Sequence, residues 1–563
     1  MTSVRFPTLL SPRILLPAAF LSLTFGLAIL ISGGFVTTVF GMRASARSPL
    51  PAFALGLVLI VVWVVTARWS GRLAPDLVAA DRWISRRASF VVLAVALLAG
   101  ATAVAFNSFS ATGSDGSGYL SQAAMLAQGA MTREEPLTPL AKWPDAATTL
   151  TPLGWRAALE VGYQAPTYAV GLPLLLAPFH ALGGTMAASL VVPLCLVLAI
   201  WATGGLALRL AGPYAAILAA VWFATSPVAL IESMQVMSDV PATAAWMLCW
   251  YLAVREKPLP AGLAAAAAVA IRPNLAPLAA MPALYLRHTG VLGFAAPVTL
   301  AGVLVGYFHW RWFGSPLRSG YGTAGQLYAF ANVGPNAPLY VSWLLDTHGP
   351  WLLATPVALV WPRIRAMRWL LAFAALVVAA YLIFSVFEVW RYLRFVLPAL
   401  AIGMIAVSAM VAAMLARLPK GPHPIGLAIL VLALAAANIA SARDHGVFRF
   451  ADQQARARVV GERLADQLPV NAVIVSGEQS GAMRYYTDRS IVRWDLAAPD
   501  VLDAALDQLI AHGYVVWVVL DDWEEEPFRR KFPAAASAVL NRPPAVESAP
   551  GVGIRTRAWP VIR

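Results

Sequence analysis

Long apolar segments separated by short polar stretches occupy the chain from residue 14 to residue 442. A helix must be mostly apolar and roughly 17 to 25 residues long to cross a hydrocarbon core about 30 Å thick. About thirteen segments meet this criterion, so the pattern predicts a polytopic α-helical membrane protein. The segments are 14–40, 51–67, 89–106, 185–208, 214–231, 240–254, a close pair within 259–286, 291–310, 340–361, 369–387, 395–416 and 424–442.

The close pair is interrupted by Arg272-Pro273-Asn274. Proline disfavours the helical conformation of the residue before it, so we expect a helix to end near Arg272. The two halves are short for spans, and one kinked helix is the alternative. That alternative would reverse the predicted orientation of every later segment.

A region at 107–184 is too long to be a simple turn between two spans. Loops of this length are usually functional. Within it, residues 119–131 have apolar side chains at helical spacing, which predicts a helix lying along the membrane surface. We count this loop with a transmembrane domain that covers residues 1–442.

The remaining residues, 443–563, have the pattern of a small α/β domain. The stretches VNAVIVSG, SIVRWDL and YVVWVVLDD predict short strands, because they are rich in β-branched and aromatic residues. Between the last two, VLDAALDQLIAHG predicts a helix that ends at Gly513.

The charge distribution separates the two parts of the chain. The whole sequence is 60% hydrophobic and 12% charged, with a formal charge of +13. Residues 1–442 contain 26 Lys and Arg against 12 Asp and Glu, whereas residues 443–563 contain 15 against 16. The excess positive charge therefore lies in the membrane part, where it sets topology and contacts lipid phosphates, and nucleic-acid binding is not expected.

The positions of the basic residues also predict orientation, since cytoplasmic loops are enriched in Lys and Arg. They favour a cytoplasmic N-terminus and, with an odd number of spans, an extracytoplasmic 443–563 domain. Cys195 and Cys249 lie in separate apolar segments, so neither a disulfide framework nor a thiolate metal cluster is predicted.

Asp115 is the most informative candidate residue. It lies in GSDGSGY directly after a predicted span and before the predicted surface helix. This pattern places a carboxylate at the boundary between water and membrane, on flexible backbone that a substrate could approach. The alternative is a helix N-cap, a role that Ser117 could also fill.

Several further stretches combine with Asp115, Tyr119 and Gln122 into a recognisable order of motifs. They are APTYAVGLPLLLAPFHALGG, SMQVMSDVPATAAWMLCWYLA, AVAIRPNLAPL, FGSPLRSGYG, ANVGPN and EVWRYLRFVLPAL. Together they resemble the polytopic glycosyltransferases of the GT-C fold, most of all the bacterial protein-mannosyltransferase-like and RgtA/B/C/D-like enzymes, over residues 115–398. Two extra spans before the acidic loop depart from that pattern, as does one acid where some members have an adjacent pair.

The resemblance implies an enzyme of the bacterial inner membrane that transfers a sugar from a polyprenyl-phosphate carrier. The acceptor would be an extracytoplasmic envelope glycan, lipid or protein, and the anomeric carbon would be inverted. Asp115 would be the base that takes the proton of the acceptor hydroxyl. The leaving phosphate needs cationic hydrogen-bond donors, which arginine supplies in a fork geometry.

Arg272, Arg391 and Arg394 are the candidates for binding the lipid phosphate. Arg272 lies at the break of the close pair, and its alternative role is that of a helix-end residue whose charge reaches the interface. Arg391 and Arg394 precede a late span, and their alternative role is pairing with Glu388.

Asp239 begins a predicted span in Ser-Asp-Val-Pro, for which a helix cap is the favoured interpretation. The alternative is a second active-site carboxylate, or a metal ligand beside Glu232. A divalent metal is left open, because a single firm carboxylate makes a weak site; no other cofactor is predicted. The tyrosines proposed as sugar or acceptor contacts are Tyr119, Tyr163, Tyr168 and Tyr321.

A secondary transporter or lipid flippase is the competing class, since proline-broken helices also occur in transporters. Transporters usually place ionisable groups near the bilayer midplane and often contain inverted repeats. In this sequence the candidate residues gather at one predicted face and no repeat is visible, which favours the enzyme.

Overall fold

The structure, a computed structural model, describes residues 12–39, 42–418, 423–548 and 553–561. The start of the chain, whose cytoplasmic location was predicted above, lies outside these ranges. The first described elements are α1 (Pro12–Ser32), a hairpin of β1 (Phe35–Val39) and β2 (Met42–Ala46), α2 (Leu50–Trp69) and α3 (Leu73–Ala105). Helix α1 ends earlier than the apolar pattern predicted, because Gly33 and Gly34 both have positive φ and lead into the hairpin.

The loop after α3 contains a helix and a small antiparallel sheet. Its elements are α4 (Gly113–Ala127), β3 (Arg133–Glu134), α5 (Ala146–Thr149), β4 (Trp155–Ala157) and β5 (Tyr163–Pro166), with strand order β3-β5-β4. Helix α4 begins six residues before the predicted start. Asp115 therefore lies in its first turn rather than upstream of it.

The remainder of the membrane part is a helical bundle. It comprises α6 (Gly171–Ser189), α7 (Val191–Ala211), α8 (Pro213–Thr225), α9 (Pro227–Ser233), α10 (Asp239–Val254), α11 (Pro258–Ile271), α12 (Ala280–Tyr285), α13 (Val291–Phe313), α14 (Ala324–Leu327), α15 (Val333–His348), α16 (Arg365–Leu382), α17 (Leu397–Leu415) and α18 (His423–Asp444). Short 3₁₀ helices lie at Pro273–Ala279, Phe330–Asn332, Pro350–Leu359 and Trp390–Val396.

Nine helices in the described ranges are long and apolar enough to span a membrane, or ten if α8 and α9 form one span bent by 58°. The chain is thus a multi-pass membrane protein, but the predicted count of about thirteen is not confirmed. Helices α10, α11 and α15 have only 16, 14 and 16 residues. Conversely, α6 begins inside the region predicted as loop.

Small residues form the centre of the bundle. Alanines of α7, α8, α10 and α17 are almost completely buried, among them Ala199, Ala219, Ala253 and Ala406. Small side chains let helix backbones approach closely, which is the main source of packing energy between helices in lipid. The bundle is therefore rigid enough to hold polar side chains at its end.

Residues after α18 fold into the expected α/β domain. Its elements are a 3₁₀ turn (Val447–Arg449), α19 (Phe450–Gln467), β6 (Ala472–Ser476), α20 (Ser480–Thr487), β7 (Ser490–Arg493), α21 (Val501–Ala511), β8 (Val515–Asp521), α22 (Asp522–Lys531), α23 (Pro533–Leu540), β9 (Val546–Glu547) and β10 (Thr556–Pro560). The sheet order is β7-β6-β8-β10-β9, and β6 is parallel to both β7 and β8. The three predicted strands and the predicted helix are confirmed.

Helix α20 attaches this domain to the membrane part. The Tyr485 hydroxyl lies 3.0 Å from Nε2 of His180 and 2.6 Å from the Thr185 hydroxyl, both on α6. The backbone N–H of Ala111 donates to the Tyr486 hydroxyl at 2.8 Å. Neighbouring residues of one short helix thus hold both α6 and the segment that leads into α4.

Close packing of α20 on α4 depends on Gly481. A Cβ atom at this position would overlap the Ser117 hydroxyl and the backbone carbonyl of Leu153. We expect Gly481→Val to loosen the domain from α4 and to lower the free energy of unfolding by about 1–3 kcal/mol. Thermal unfolding of the purified protein and limited proteolysis after α18 would measure both effects.

Gly302→Val is the matched control, because Gly302 also lies in a helix and has no neighbouring atom within 4 Å of an added Cβ. Equal effects of the two substitutions would show that α20 is not closely docked.

Glu524 should make the stability of the C-terminal domain depend on pH. Burial raises the pKa of its carboxyl from 4.5 to about 7. Since the folded state holds this proton more tightly, the contribution of Glu524 is greatest below about pH 4.5 and is lost as the pH rises to about 7. Glu524→Gln should remove that decrease from the pH profile of thermal unfolding. The exposed Glu526→Gln should keep it, and identical profiles for the two variants would contradict the assignment.

Candidate active site

Arg394 lies at the centre of a cluster of charged side chains at one end of the bundle. It belongs to the 3₁₀ segment that precedes α17, and its own side chain is only 13% exposed. Its Nη2 is 2.9 Å from Oδ2 of Asp115, its Nη1 is 3.6 Å from Oε2 of Glu232, and its Nε is 3.8 Å from Oδ2 of Asp239. One guanidinium therefore joins carboxylates from α4, α9 and α10.

Asp115 does not cap α4. Thr112 occupies the N-cap position, and Asp115 is the third residue of the helix. An acid in the first turn interacts favourably with the partial positive charge of the helix N-terminus. The Asp115 side chain is 27% exposed, whereas those of Glu232 and Asp239 are fully buried. Among the three carboxylates, Asp115 alone can be reached from water.

A second arginine completes the cluster. Pro273 follows Arg272 and forces it out of helical geometry, so that α11 ends there as predicted. Nη2 of Arg272 is 3.0 Å from Oδ1 of Asp239, and its Nε donates to the Ser238 hydroxyl at 3.3 Å. Arg272 thus has a buried partner and is not simply a helix-end residue in contact with lipid headgroups.

The position of Asp239 differs from the favoured interpretation as a helix cap. Ser238 is the N-cap residue of α10, and Asp239 is the first helical residue. Its two carboxylate oxygens face Arg272 and Arg394 respectively. Buried charges are tolerated only when they are paired, so Asp239 holds both arginines in place.

Tyr381 belongs to the cluster but was not among the site residues predicted from the sequence. Its hydroxyl accepts hydrogen bonds from Nη1 of Arg272 at 3.2 Å and from the Asn274 amide at 2.9 Å, and its ring stacks on Phe395. A lone tyrosine near the end of an apolar span is the only local signal. Interfacial tyrosines are common in membrane proteins, so that signal was weak.

Three of the four predicted tyrosines meet beside Asp115. The rings of Tyr119 and Tyr168 are 4.6 Å apart, and those of Tyr168 and Tyr321 are 5.8 Å apart. The Tyr168 hydroxyl lies 2.6 Å from that of Ser114, the residue before Asp115. Burial, reinforced by the negative charge of Asp115, raises the pKa of Tyr119 and Tyr168, which therefore remain neutral hydroxyl donors.

Two predicted site residues lie elsewhere. Tyr163 is in β5, where it pairs with Glu134. The Arg391 guanidinium lies 5.2 Å from the centre of the Phe450 ring in the C-terminal domain. Arg391 is therefore next to the cluster along the chain but is directed toward the domain interface.

The arrangement of the described side chains also bears on metal binding. Within the described ranges, no group of three His, Cys, Asp or Glu side chains is arranged to hold a metal ion. Arg394 itself lies between the three carboxylates and is within ion-pair distance of each. The cluster can instead accept a proton at Asp115 and bind an anion at its two arginines.

Comparisons with known proteins identify the fold. No family model and no curated protein sequence matches the chain. Solved structures of ArnT from Cupriavidus metallidurans do match. The form bound to undecaprenyl phosphate has a TM-score of 0.53 at 14% identity, over 84% of this chain and 98% of that one. The apo form has a TM-score of 0.51 at 14% identity, over 86% and 98%.

An oligosaccharyltransferase from Archaeoglobus fulgidus in the apo form has a TM-score of 0.47 at 11% identity, over 79% of this chain and 70% of that one. The two ArnT matches show that the chain has the fold of the GT-C glycosyltransferases, as the resemblance of its motifs predicted. The narrower likeness to protein-mannosyltransferase-like and RgtA/B/C/D-like enzymes remains a prediction.

The cluster predicts unequal roles for Arg394 and Arg391 in stability. Arg394→Met would leave the buried Glu232 without its cation, and Asp239 would be paired only with Arg272. We therefore expect the free energy of unfolding to fall by about 3–5 kcal/mol. Arg391→Met is the matched control on the same 3₁₀ segment and should cost about 1–2 kcal/mol, the value of a cation–π contact with the buried Phe450 ring. Thermal unfolding in detergent would compare them. Similar losses would show that the three carboxylates do not depend on Arg394.

Proposed function

We propose that this protein is a membrane glycosyltransferase that transfers a sugar from a polyprenyl-phosphate carrier to a hydroxyl group of an extracytoplasmic acceptor. The observation that carries the proposal is the pairing of Asp115, a water-accessible carboxylate, with a buried arginine in the GT-C fold. The match to an ArnT structure that contains undecaprenyl phosphate supports a carrier of that class. The acceptor would be an envelope glycan, a lipid or a protein.

Asp115 would be the catalytic base. The acceptor oxygen forms a bond to the anomeric carbon while its proton passes to the carboxylate. The bond between that carbon and the phosphate oxygen breaks, and the electron pair leaves with the polyprenyl phosphate. A single displacement of this kind inverts the anomeric carbon.

Arg394 and Arg272 would bind the lipid phosphate. Guanidinium groups suit phosphate because they form two parallel hydrogen bonds to its oxygens. Glu232 and Asp239 would keep both arginines oriented before the carrier arrives. Arg391 remains a candidate for a further phosphate contact on the side of the C-terminal domain.

Binding of the carrier would also activate the base. In the free protein Asp115 is paired with Arg394 at 2.9 Å, so one of its oxygens is occupied. A phosphate that takes over hydrogen bonds from Nη2 of Arg394 would release the carboxylate. The carboxylate oxygen would then be free to contact the acceptor hydroxyl only when the donor is bound.

The remaining predicted contacts fit the sugar and acceptor. Tyr119, Tyr168 and Tyr321 present aromatic surface and hydroxyl groups beside Asp115, which suits a sugar ring. Tyr163 would contact the acceptor only if that molecule extends over the loop sheet. We infer a bacterial inner-membrane protein with a cytoplasmic N-terminus and an extracytoplasmic C-terminal domain, since this orientation exposes the site to the envelope.

Asp115→Asn tests the chemistry, because it retains the shape of the side chain but removes the base. We expect transfer from a radiolabelled undecaprenyl-phosphate sugar to envelope extract to fall by about 10²–10⁴-fold. Binding of undecaprenyl phosphate should persist or become tighter, because Arg394 loses a competing partner. Both quantities can be measured on protein in nanodiscs.

Glu160→Gln is the control, since Glu160 is a half-exposed carboxylate of the same loop that pairs with Arg311 at 3.7 Å. Undiminished transfer by Asp115→Asn would contradict the assigned base. Absence of transfer by the wild type, together with uptake of sugar or lipid into proteoliposomes, would favour the transporter.

A further inference from the structure

Glu478 lies in the turn that follows β6, at the edge of the C-terminal sheet where the parallel strands end. Its backbone N–H donates to Oε1 of Glu524 at 3.0 Å. The other oxygen of Glu524 accepts from the N–H of Asp521, at the end of β8, at 2.9 Å. One buried side chain thus fixes the turns that follow both strands, and the position of Glu478 is set by this bridge.

This turn faces the candidate active site. Oε1 of Glu478 is 3.9 Å from the point that a Cβ atom on Gly113 would occupy, and Gly113 is two residues before Asp115. Glu478 is also close enough to Tyr392, two residues before Arg394, to interact with it electrostatically. The C-terminal domain therefore places a carboxylate next to the segments that carry Asp115 and Arg394.

Among the described residues, the Glu478 carboxylate makes no direct contact that would stabilise the fold. In the parts of the chain that the structure describes, its oxygens make no hydrogen bond or ion pair. Neighbouring arginines have other partners: Arg456 is paired with Asp521 at 3.1 Å, and Arg493 is paired with Asp495. Arg456 and Arg493 attract the Glu478 carboxylate at longer range, but it makes no hydrogen bond of its own, which is unfavourable for a half-buried polar group. A contact outside the folded chain would supply that hydrogen bond.

We propose that Glu478 determines acceptor specificity by accepting a hydrogen bond from the acceptor, next to the hydroxyl that attacks. This inference rests on the proposed function and adds the class of acceptor. The bound part of the acceptor offers a hydrogen-bond donor, either a hydroxyl or an ammonium group. The part of the acceptor beside Glu478 carries no phosphate or carboxylate.

The negative charges near Asp115 favour an acceptor whose bound part carries no anionic group. Asp115 and Glu478 both present carboxylates on the aqueous side. Arg394, which pairs with Asp115, is shared with the two buried carboxylates of the cluster. Like charges brought close together repel, so an anionic group beside the attacking hydroxyl would be disfavoured. The leaving phosphate, by contrast, would meet the arginines from the membrane side.

The test uses the full-length protein in nanodiscs with a radiolabelled undecaprenyl-phosphate sugar. Envelope extract is separated on an anion exchanger into an unretained and a retained fraction, and each fraction is titrated as acceptor. Glu478→Ala is compared with Glu526→Gln, an exposed carboxylate of the same domain. Transfer to the acceptor and hydrolysis of the donor by water are measured in the same reactions.

We expect the wild type to glycosylate the unretained fraction. Glu478→Ala should raise the half-saturating acceptor concentration about tenfold and lower the ratio of transfer to hydrolysis by a similar factor, because one charge-assisted hydrogen bond is lost. The half-saturating donor concentration should change less than twofold. If transfer persists after N-acetylation of the extract, the group bound by Glu478 is a hydroxyl. If transfer is lost, that group is an ammonium.

Two results would overturn the inference while leaving the proposed function intact. One is transfer to the retained fraction alone. The other is an unchanged ratio of transfer to hydrolysis in Glu478→Ala. That result would mean that Glu478 has a purely structural role. A wild type that neither transfers nor hydrolyses the donor would instead overturn the proposed function and this inference with it.

Discussion

The ion pairs of Arg394 are the interaction on which the rest of the structure depends. They join side chains from α4, α9 and α10 to the segment before α17, and Arg394 and Asp115 are 279 positions apart. Removing a charge from water costs several kcal/mol per ion, which is recovered only if every member has a partner. The positions of four chain segments are therefore coupled, and the loop that carries Asp115 is held against the end of the bundle.

The same network explains how a protein with few charges can assemble a polar site in a membrane. Alanine-rich helices pack closely enough to bury Glu232 and Asp239 almost completely. Helix breaks supply the remaining geometry. Pro273 ends α11 at Arg272, and the bend between α8 and α9 directs Glu232 toward Arg394. Each break shortens a helix, which is one reason why fewer long spans are found than the apolar pattern suggested.

The C-terminal domain completes the site from the aqueous side. Residues of α20 bind α6 and the segment before α4, so the domain is fixed relative to Asp115. The turn after β6 lies near that site, and ligands of open α/β sheets commonly bind at the edge where parallel strands end. The site thus combines a membrane face rich in buried ion pairs with a water face that ends in Glu478.

The sequence by itself determined the features that depend on neighbouring residues. Apolar length revealed the membrane bundle, Pro273 marked the break at Arg272, and β-branched runs identified the strands of the C-terminal domain. A polar loop directly after a span singled out Asp115. These signals are local, because helix length, helix ends and strand propensity act over a few residues.

Only the tertiary structure decided which candidates lie together. It brought Asp115 and Asp239 to Arg394, directed Arg391 to Phe450, and left Tyr163 in the loop sheet. It also added Tyr381 and Glu478, whose neighbours in the sequence give no sign of a functional site. Contacts between positions tens to hundreds of residues apart depend on how the helices and the C-terminal domain pack, and a local pattern of residues does not contain that information.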